Sequence, residues 1–200
     1  MKKNTMLSTV LAAIMFASAG SAMAESHLLT KDVKVVKRAA KKVEVRVNQP
    51  NTGTLEVVLK DNEGTTVHTG KIQGGENMVT LFNLNSLPNG QYTLSCANAS
   101  FWSAQNLVIK NGEVEIVENT YQEAFKPSVE EIGNNRFAVT TFNKNVADMP
   151  VIISDLQGET LYSGYLSTAN RYNLNNLPAG EYVFEFAVGD KSFKQYVKVK

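Results

Sequence analysis

The sequence predicts an all-β protein: two tandem immunoglobulin/fibronectin III-like β-sandwiches behind a cleaved signal peptide. Three observations carry this. Apolar residues recur with a period of two along most of the chain, as in Val43-Glu44-Val45-Arg46-Val47, which is the pattern of half-buried strands. Turn signals separate these runs, among them Asn62-Glu63-Gly64, Asn111-Gly112, Gln157-Gly158 and Pro178-Ala179-Gly180. The chain also repeats itself. Phe82-Asn83-Leu84-Asn85-Ser86-Leu87-Pro88-Asn89-Gly90-Gln91-Tyr92 returns as Tyr172-Asn173-Leu174-Asn175-Asn176-Leu177-Pro178-Ala179-Gly180-Glu181-Tyr182.

The chain starts with Lys2 and Lys3, an apolar stretch from Met6 to Phe16, and small residues ending at Ala22-Met23-Ala24. A basic start, a short apolar run and a small-x-small site make a secretory signal peptide, with cleavage expected after Ala24. The apolar run is shorter than the roughly 20 residues a membrane-crossing helix needs. The expected location is therefore outside the cytoplasm: periplasmic, cell-surface or secreted. Without Lys2 and Lys3, the 20 basic residues fall to 18 against 19 acidic ones. Such a balance gives no reason to expect a nucleic-acid partner. Cys96 is the single cysteine, so no disulfide can form within the chain. It shares a strand face with Tyr92 and Leu94, where a buried, inert thiol is expected.

The first copy is assigned to 25–118, with strands near Lys31–Val36, Val43–Val47, Leu55–Lys60, Thr66–Lys71, Met78–Leu81, Gln91–Cys96 and Ala104–Lys110. The second is assigned to 128–200, with strands near Ser128–Ile132, Arg136–Thr141, Val151–Ser154, Thr160–Tyr165, Arg171–Leu174, Glu181–Val188 and Ser192–Lys200. About seven strands per copy suit this kind of sandwich. Upstream of the shared segment, Asp61-Asn62-Glu63-Gly64 matches Asp155-Leu156-Gln157-Gly158, and a short insertion around Gly74-Gly75 shifts the first copy's register. Asn111-Gly112 is a type I′ hairpin signal, so Glu113–Glu118 should fold back on the strand before it. The stretch 119–127 is expected to be a linker.

In the repeated Leu-Pro-x-Gly-x-Tyr element, Pro88 and Pro178 fix a turn after Leu87 and Leu177. Gly90 and Gly180 are expected to supply a backbone angle other residues avoid, and Tyr92 and Tyr182 to open the next strand with the ring inward. This is the arrangement of a tyrosine corner, in which the hydroxyl ties a strand to the connection before it. These eight residues are read as structural, not as ligand contacts.

The series of an Asp-x-x-Gly turn, a strand, Leu-x-x-Leu-Pro-x-Gly-x-Tyr and a final Lys-rich strand resembles the secretion-associated modules of Bacteroidetes. These include the C-terminal sorting domains of type IX (Por) secretion cargo and small secreted immunoglobulin-like proteins. In the second copy the resemblance runs from Val151 to Lys200 and includes Lys191, Lys194, Lys198 and Lys200. For a sorting domain it implies recognition by an outer-membrane translocon. The first copy carries the same element in mid-chain, with no cargo domain before it.

No catalytic, metal or cofactor constellation is expected. His27 and His68 are the only histidines, and His68 stands where the second copy has Tyr162, which suggests an outward, tolerant position. Gly-x-Ser-x-Gly, a phosphate-binding Gly-rich loop, His-Glu-x-x-His and Cys-x-x-Cys are all missing. Asp61/Glu63 lack the spaced oxygens of a calcium loop. Glu130-Glu131 would need a second carboxylate facing them across a cleft, and the sequence offers no cleft.

Two features stand out from this background. Phe101-Trp102 follows a small polar run where the second copy has an ordinary turn. Aromatics at a sandwich tip can stack on sugars or anchor a protein, so Phe101 and Trp102 are candidate ligand contacts. The preferred alternative is that Trp102 tucks under the first core or packs at the junction of the copies. The segment Lys31–Lys42 carries Lys31, Lys34, Lys37, Arg38, Lys41 and Lys42 against Asp32. It reads as a lysine-guarded edge or solvated segment, or as a dock for an anionic surface with acidic Glu113–Glu131 as a counterpart elsewhere. The expected role is a non-enzymatic binding or structural protein whose partner is a protein or glycan at the cell envelope. A type IX sorting module or cargo is the alternative.

Overall fold

The computed structural model describes residues 33–48, 53–73, 75, 78–146, 148–166 and 170–200. The signal-peptide assignment, Lys31, Asp32 and Gly74 lie outside the described residues. The described residues fall within one compact unit, and their regular structure is all strand.

The first copy has β1 (Val33–Ala39), β2 (Lys42–Val47), β3 (Thr54–Asp61), β4 (Thr66–Gln73), β5 (Met78–Asn83), β6 (Gly90–Ala97) and β7 (Phe101–Lys110). They form a three-stranded sheet, β1-β2-β5, facing a four-stranded run, β7-β6-β3-β4. After β8 (Glu113–Ile116), β9 (Gln122–Phe125) and β10 (Ser128–Glu131), the second copy continues with β11 (Arg136–Thr140), β12 (Asn143–Lys144), β13 (Met149–Asp155), β14 (Thr160–Leu166), β15 (Asn170–Asn173), β16 (Gly180–Val188) and β17 (Lys191–Val199). Its sheets, β10-β11-β15 and β14-β13-β16-β17, repeat the same three-plus-four order. The fold is thus two tandem immunoglobulin/fibronectin III-like sandwiches.

The repeat extends to hydrogen bonds that hold the turns. Leu87 N donates to Leu84 O and Leu177 N to Leu174 O. The side chains of Asn83 and Asn173 accept from the amides two residues on, Asn85 and Asn175. Asp61 accepts from Glu63 N and Thr65 N, and Asp155 from Glu159 N. Asn and Asp side chains stabilise turns in this way.

Each sandwich has its own core. Val43, Val45, Leu55, Leu59, Cys96 and Leu107 build the first. Val151, Ile153, Phe184, Phe186 and Phe193 build the second. Asn111 and Gly112 both take positive φ, 53° and 79°, the type I′ geometry that returns β8 along β7.

The expected linker, 119–127, is not a free connection. Its residues Gln122–Phe125 form β9, which pairs with the first half of β7, Phe101 opposite Phe125 and Ala104 opposite Gln122. β8 pairs with the second half, Leu107 to Lys110. Together they cover the outer edge of β7. β12, from the second copy, then pairs with β9 and extends the first copy's sheet. Such pairing satisfies backbone groups that a bare linker leaves to water. β17, the counterpart of β7, ends its sheet with no partner strand on its outer side among the described residues.

Candidate functional site

β7 begins at Phe101, three residues earlier than the sequence reading placed it. Successive side chains on a strand point to opposite faces, so Phe101 and Trp102 enter different cores. Phe101 is 1% exposed in the first core and meets Phe125 edge-on at 5.3 Å. Trp102 is 3% exposed and belongs, with Ala104 and Ala124, to the second core. Neither ring offers a face to a ligand. The ligand-contact expectation for Phe101 and Trp102 is therefore corrected: Phe101 is core of the first copy, and Trp102 joins the two copies.

The junction is closed by the β16–β17 turn of the second copy. Gly189 has φ +55°, and a Cβ there would lie 2.4 Å from Trp102 Cζ2, so only glycine lets the turn rest on the indole. Trp102 Nε1 donates to Asp190 Oδ1 at 3.3 Å, and Lys60 Nζ lies 2.9 Å from Asp190 Oδ2. Burial works to raise the Asp190 carboxyl, but the bonds from Lys60 and Trp102 outweigh it and hold it below its ordinary value. On the other side of the junction, Asn145 Nδ2 donates to Tyr121 O at 2.8 Å.

The corner residues occupy matching places. Tyr92 Oη donates to Pro88 O at 2.9 Å, and Tyr182 Oη to Pro178 O at 2.8 Å. Burial, then the Asp61 charge, raise the Tyr92 phenol. Leu87 and Leu177 are half-buried and pack against their respective cores. Gly90 and Gly180 do not have positive φ. Added Cβ atoms there would come no closer than 3.6 and 3.9 Å to the tyrosine rings. The unusual backbone angle expected of these two glycines is thus replaced by ordinary strand geometry beside a ring.

His68 is exposed but not simply outward and tolerant. It meets Phe82 edge-on at 5.8 Å, as Tyr162 meets Tyr172 at 5.5 Å. Both pairs close the open side of their sandwich. In the second copy a hollow of 350 Å³ there is lined by Tyr162, Arg171, Tyr172 and Asn176 among others. Cys96 is fully buried, and desolvation pushes its thiol up to about 12. Among the described residues no three His, Cys, Asp or Glu side chains gather as metal ligands, and no helix is long and apolar enough to cross a membrane.

The basic segment forms β1 and its turn. Lys37 Nζ pairs with Glu113 at 2.6 Å, and Lys41 Nζ donates to Leu87 O at 2.5 Å. Arg38 Nη2 donates to Glu44 Oε1 at 2.8 Å, and Arg46 Nε bonds the same carboxylate. Hydrogen bonds from Arg38, then Arg46, pull the Glu44 carboxyl down to about 2. The acidic stretch expected as a counterpart elsewhere thus supplies a direct partner, Glu113.

The most distinctive open surface is the outer face of β14-β13-β16-β17. Tyr165 is 68% exposed, Tyr196 65% and Ile152 38%. Tyr165 stands opposite Pro150, Ile152 opposite Glu185, and Tyr196 opposite Val183. Charged residues run between them: Glu185 accepts from Ser192 Oγ at 2.6 Å and lies 3.3 Å from Lys194 Nζ. The Ser192 bond, with help from Lys194 and against burial, lowers the Glu185 carboxyl. The corresponding face of the first copy enters the junction only at its Trp102 and Ala104 end, while Lys71 and Asn106 on the same face remain exposed. Sequence reasoning missed this surface because Ile152, Tyr165 and Tyr196 lie on three different strands.

No family model and no curated protein matches the chain. Among solved structures it is similar to a two-domain fibronectin type III segment of chicken tenascin, 13% identical, covering 84% of this chain and 98% of that one, TM-score 0.32. Domains 3 and 4 of rat CD4 are similar at 13% identity, covering 82% and 97%, TM-score 0.33. The BSP domain of a biofilm-associated protein is similar at 17% identity and TM-score 0.30; the match covers 84% of this chain and 29% of that one. TM-scores this low add nothing to a fold already defined by the chain's own strand order.

Proposed function

We propose that the protein is a non-enzymatic, exported binding protein of the bacterial envelope, and that it engages a protein or glycan partner through the outer face of β14-β13-β16-β17. The observation that supports this is the exposure of Tyr165, Tyr196 and Ile152 on that one face, where the first copy has Lys71, Asn106 and Val58 at the matching places. Tyr165 and Tyr196 lie on the two edge strands of this face with Ile152 between them, and exposed tyrosines spread across a sheet face favour recognition of an extended partner surface, since they bring large contact area at low conformational cost. The rest of the molecule acts as a mount that holds this face.

The test pairs the wild-type protein with an Ile152→Ser/Tyr165→Ser variant, both screened on a glycan array and by cross-linking to envelope fractions. Equal melting temperatures with binding lost in the variant support the reading. A partner bound equally by both assigns recognition elsewhere, and absence of any specific partner contradicts a binding role. Cell fractionation tests export: retention in the cytoplasm contradicts it.

A sorting role is a second reading, favoured by the four lysines and absence of acids between Lys191 and Lys200. Phe193, Val197 and Val199 on this strand are buried, so deleting it would unfold the sandwich. Lys194→Ser/Lys198→Ser leaves the core intact, and unchanged localisation of that variant rules sorting out.

A further inference from the structure

We infer that the outer edge of β17 is a strand-acceptor site, and that its occupant is an extended segment of a partner protein alternating apolar and acidic residues. The inference deepens the binding reading by adding a second, backbone-based contact on the same module, and it rests on comparing β17 with β7.

The two strands hold the same register on their neighbours: Tyr92 faces Leu107 and Tyr182 faces Val197. In β7, Asn106 O accepts from Val117 N at 3.0 Å, and Asn106 N donates to Thr120 Oγ1 at 3.1 Å. Asn106 therefore turns its backbone toward the edge that β8 and β9 cover. Alternate residues along a strand share that direction, so the equivalent groups of β17 belong to Lys194, Tyr196 and Lys198. Among the described residues only the next position, Lys200, has a substitute partner. Its N–H donates to Asn135 Oδ1 at 3.0 Å, and its carbonyl accepts from Asn135 Nδ2 at 3.1 Å. The side chain of Asn135 thus imitates a strand at the end of the edge, and the stretch before it is left open.

Charge selects the occupant. β17 and its last residue carry Lys191, Lys194, Lys198 and Lys200 and no acid. A second copy pairing antiparallel through β17 and centred on Tyr196 would set Lys194 against Lys198, and like charges opposite one another oppose pairing. The strand that covers β7 has the complementary composition. In β8, Glu113 stands opposite Lys110 and Glu115 opposite Val108, with Val114 buried between them. An acidic, alternating strand thus meets β17's lysines as β8 meets β7, with main-chain bonds for affinity and charge for selection.

The probe is a capped synthetic peptide with the sequence of residues 113–118, Glu-Val-Glu-Ile-Val-Glu, added to the purified protein and compared with the same peptide carrying Lys for Glu. Hydrogen exchange should slow by tenfold or more at the amides of Lys194, Tyr196 and Lys198 with the acidic peptide only. Lys194→Glu/Lys198→Glu should weaken its binding by about tenfold or more, and added salt should weaken it too. Tyr196→Pro removes one edge-facing donor and should abolish binding, whereas Tyr196→Ser, which keeps that donor, and Tyr165→Ser, which alters only the neighbouring face, should not. Equal binding of both peptides, protection located on other strands, or no protection at all would overturn the inference. None of these results bears on whether Ile152 and Tyr165 bind a partner.

Discussion

Replacing Trp102 with alanine should cost about 3–5 kcal/mol of stability, in line with buried Trp or Phe truncations. The size follows from the site. Only 3% of Trp102 remains exposed, and a buried aromatic removes about 150–250 Å² from water, which at about 25 cal/mol per Å² amounts to roughly 4–6 kcal/mol as an upper estimate. The truncation also takes the indole N–H from Asp190 and leaves Gly189 over a void. Because the ring belongs to the second core while its backbone belongs to the first copy, the loss should appear as uncoupling. Urea unfolding followed by near-ultraviolet circular dichroism and by limited proteolysis at 119–127 should show one transition in the wild type and two in Trp102→Ala. Trp102→Phe keeps most of the apolar contact and should lose less, about 1–3 kcal/mol for the hydrogen bond and the smaller ring together. A Trp102→Ala protein within 1 kcal/mol of wild type, still unfolding in one step, would refute the reasoning.

Further outcomes follow from the corners and from the charged cluster on β2. Tyr92→Phe and Tyr182→Phe should each cost about 0.5–1.5 kcal/mol, and the two losses should add in the double variant because the corners lie in separate cores; chemical denaturation of the three variants measures this. Glu44 titrates at about 2 against an ordinary 4.5. Its folded value is depressed, so its contribution is present above pH 4.5 and is lost as the pH falls toward 2. Melting temperatures of Glu44→Gln and wild type should therefore differ at pH 6 and converge near pH 2. A constant difference across that range would show that the carboxylate charge is not what Arg38 and Arg46 recognise.

The parts legible in the sequence were those carried by local chemistry. The Leu-Pro-x-Gly-x-Tyr repeat, the Asn111-Gly112 hairpin and the alternation of Val43, Val45 and Val47 each encode their geometry within a few residues. The corner hydroxyls reached the carbonyls such a motif implies, although Gly90 and Gly180 adopt ordinary strand angles. The junction was less visible because its side chains point outward from their own sheet: Trp102 and Ala104 occupy positions that ordinarily face water, and only the second copy makes them core. Phe101 followed by Trp102 was the available signal, since large aromatics on both faces of one strand require burial on both sides. β9 was hidden by composition. Gln122-Glu123-Ala124-Phe125 has no β-branched residue, and its strand conformation comes from the edge of β7 that it covers. β12 contributes two residues, too few for any periodicity.

The central claim is that Trp102 and the Gly189-Asp190 turn join two sandwiches into one body. Residual dipolar couplings of the backbone amides test it most directly. The account predicts that residues 33–118 and 128–200 fit one common alignment tensor in the wild type and two different ones in Trp102→Ala. Two unrelated tensors in the wild-type protein would contradict it.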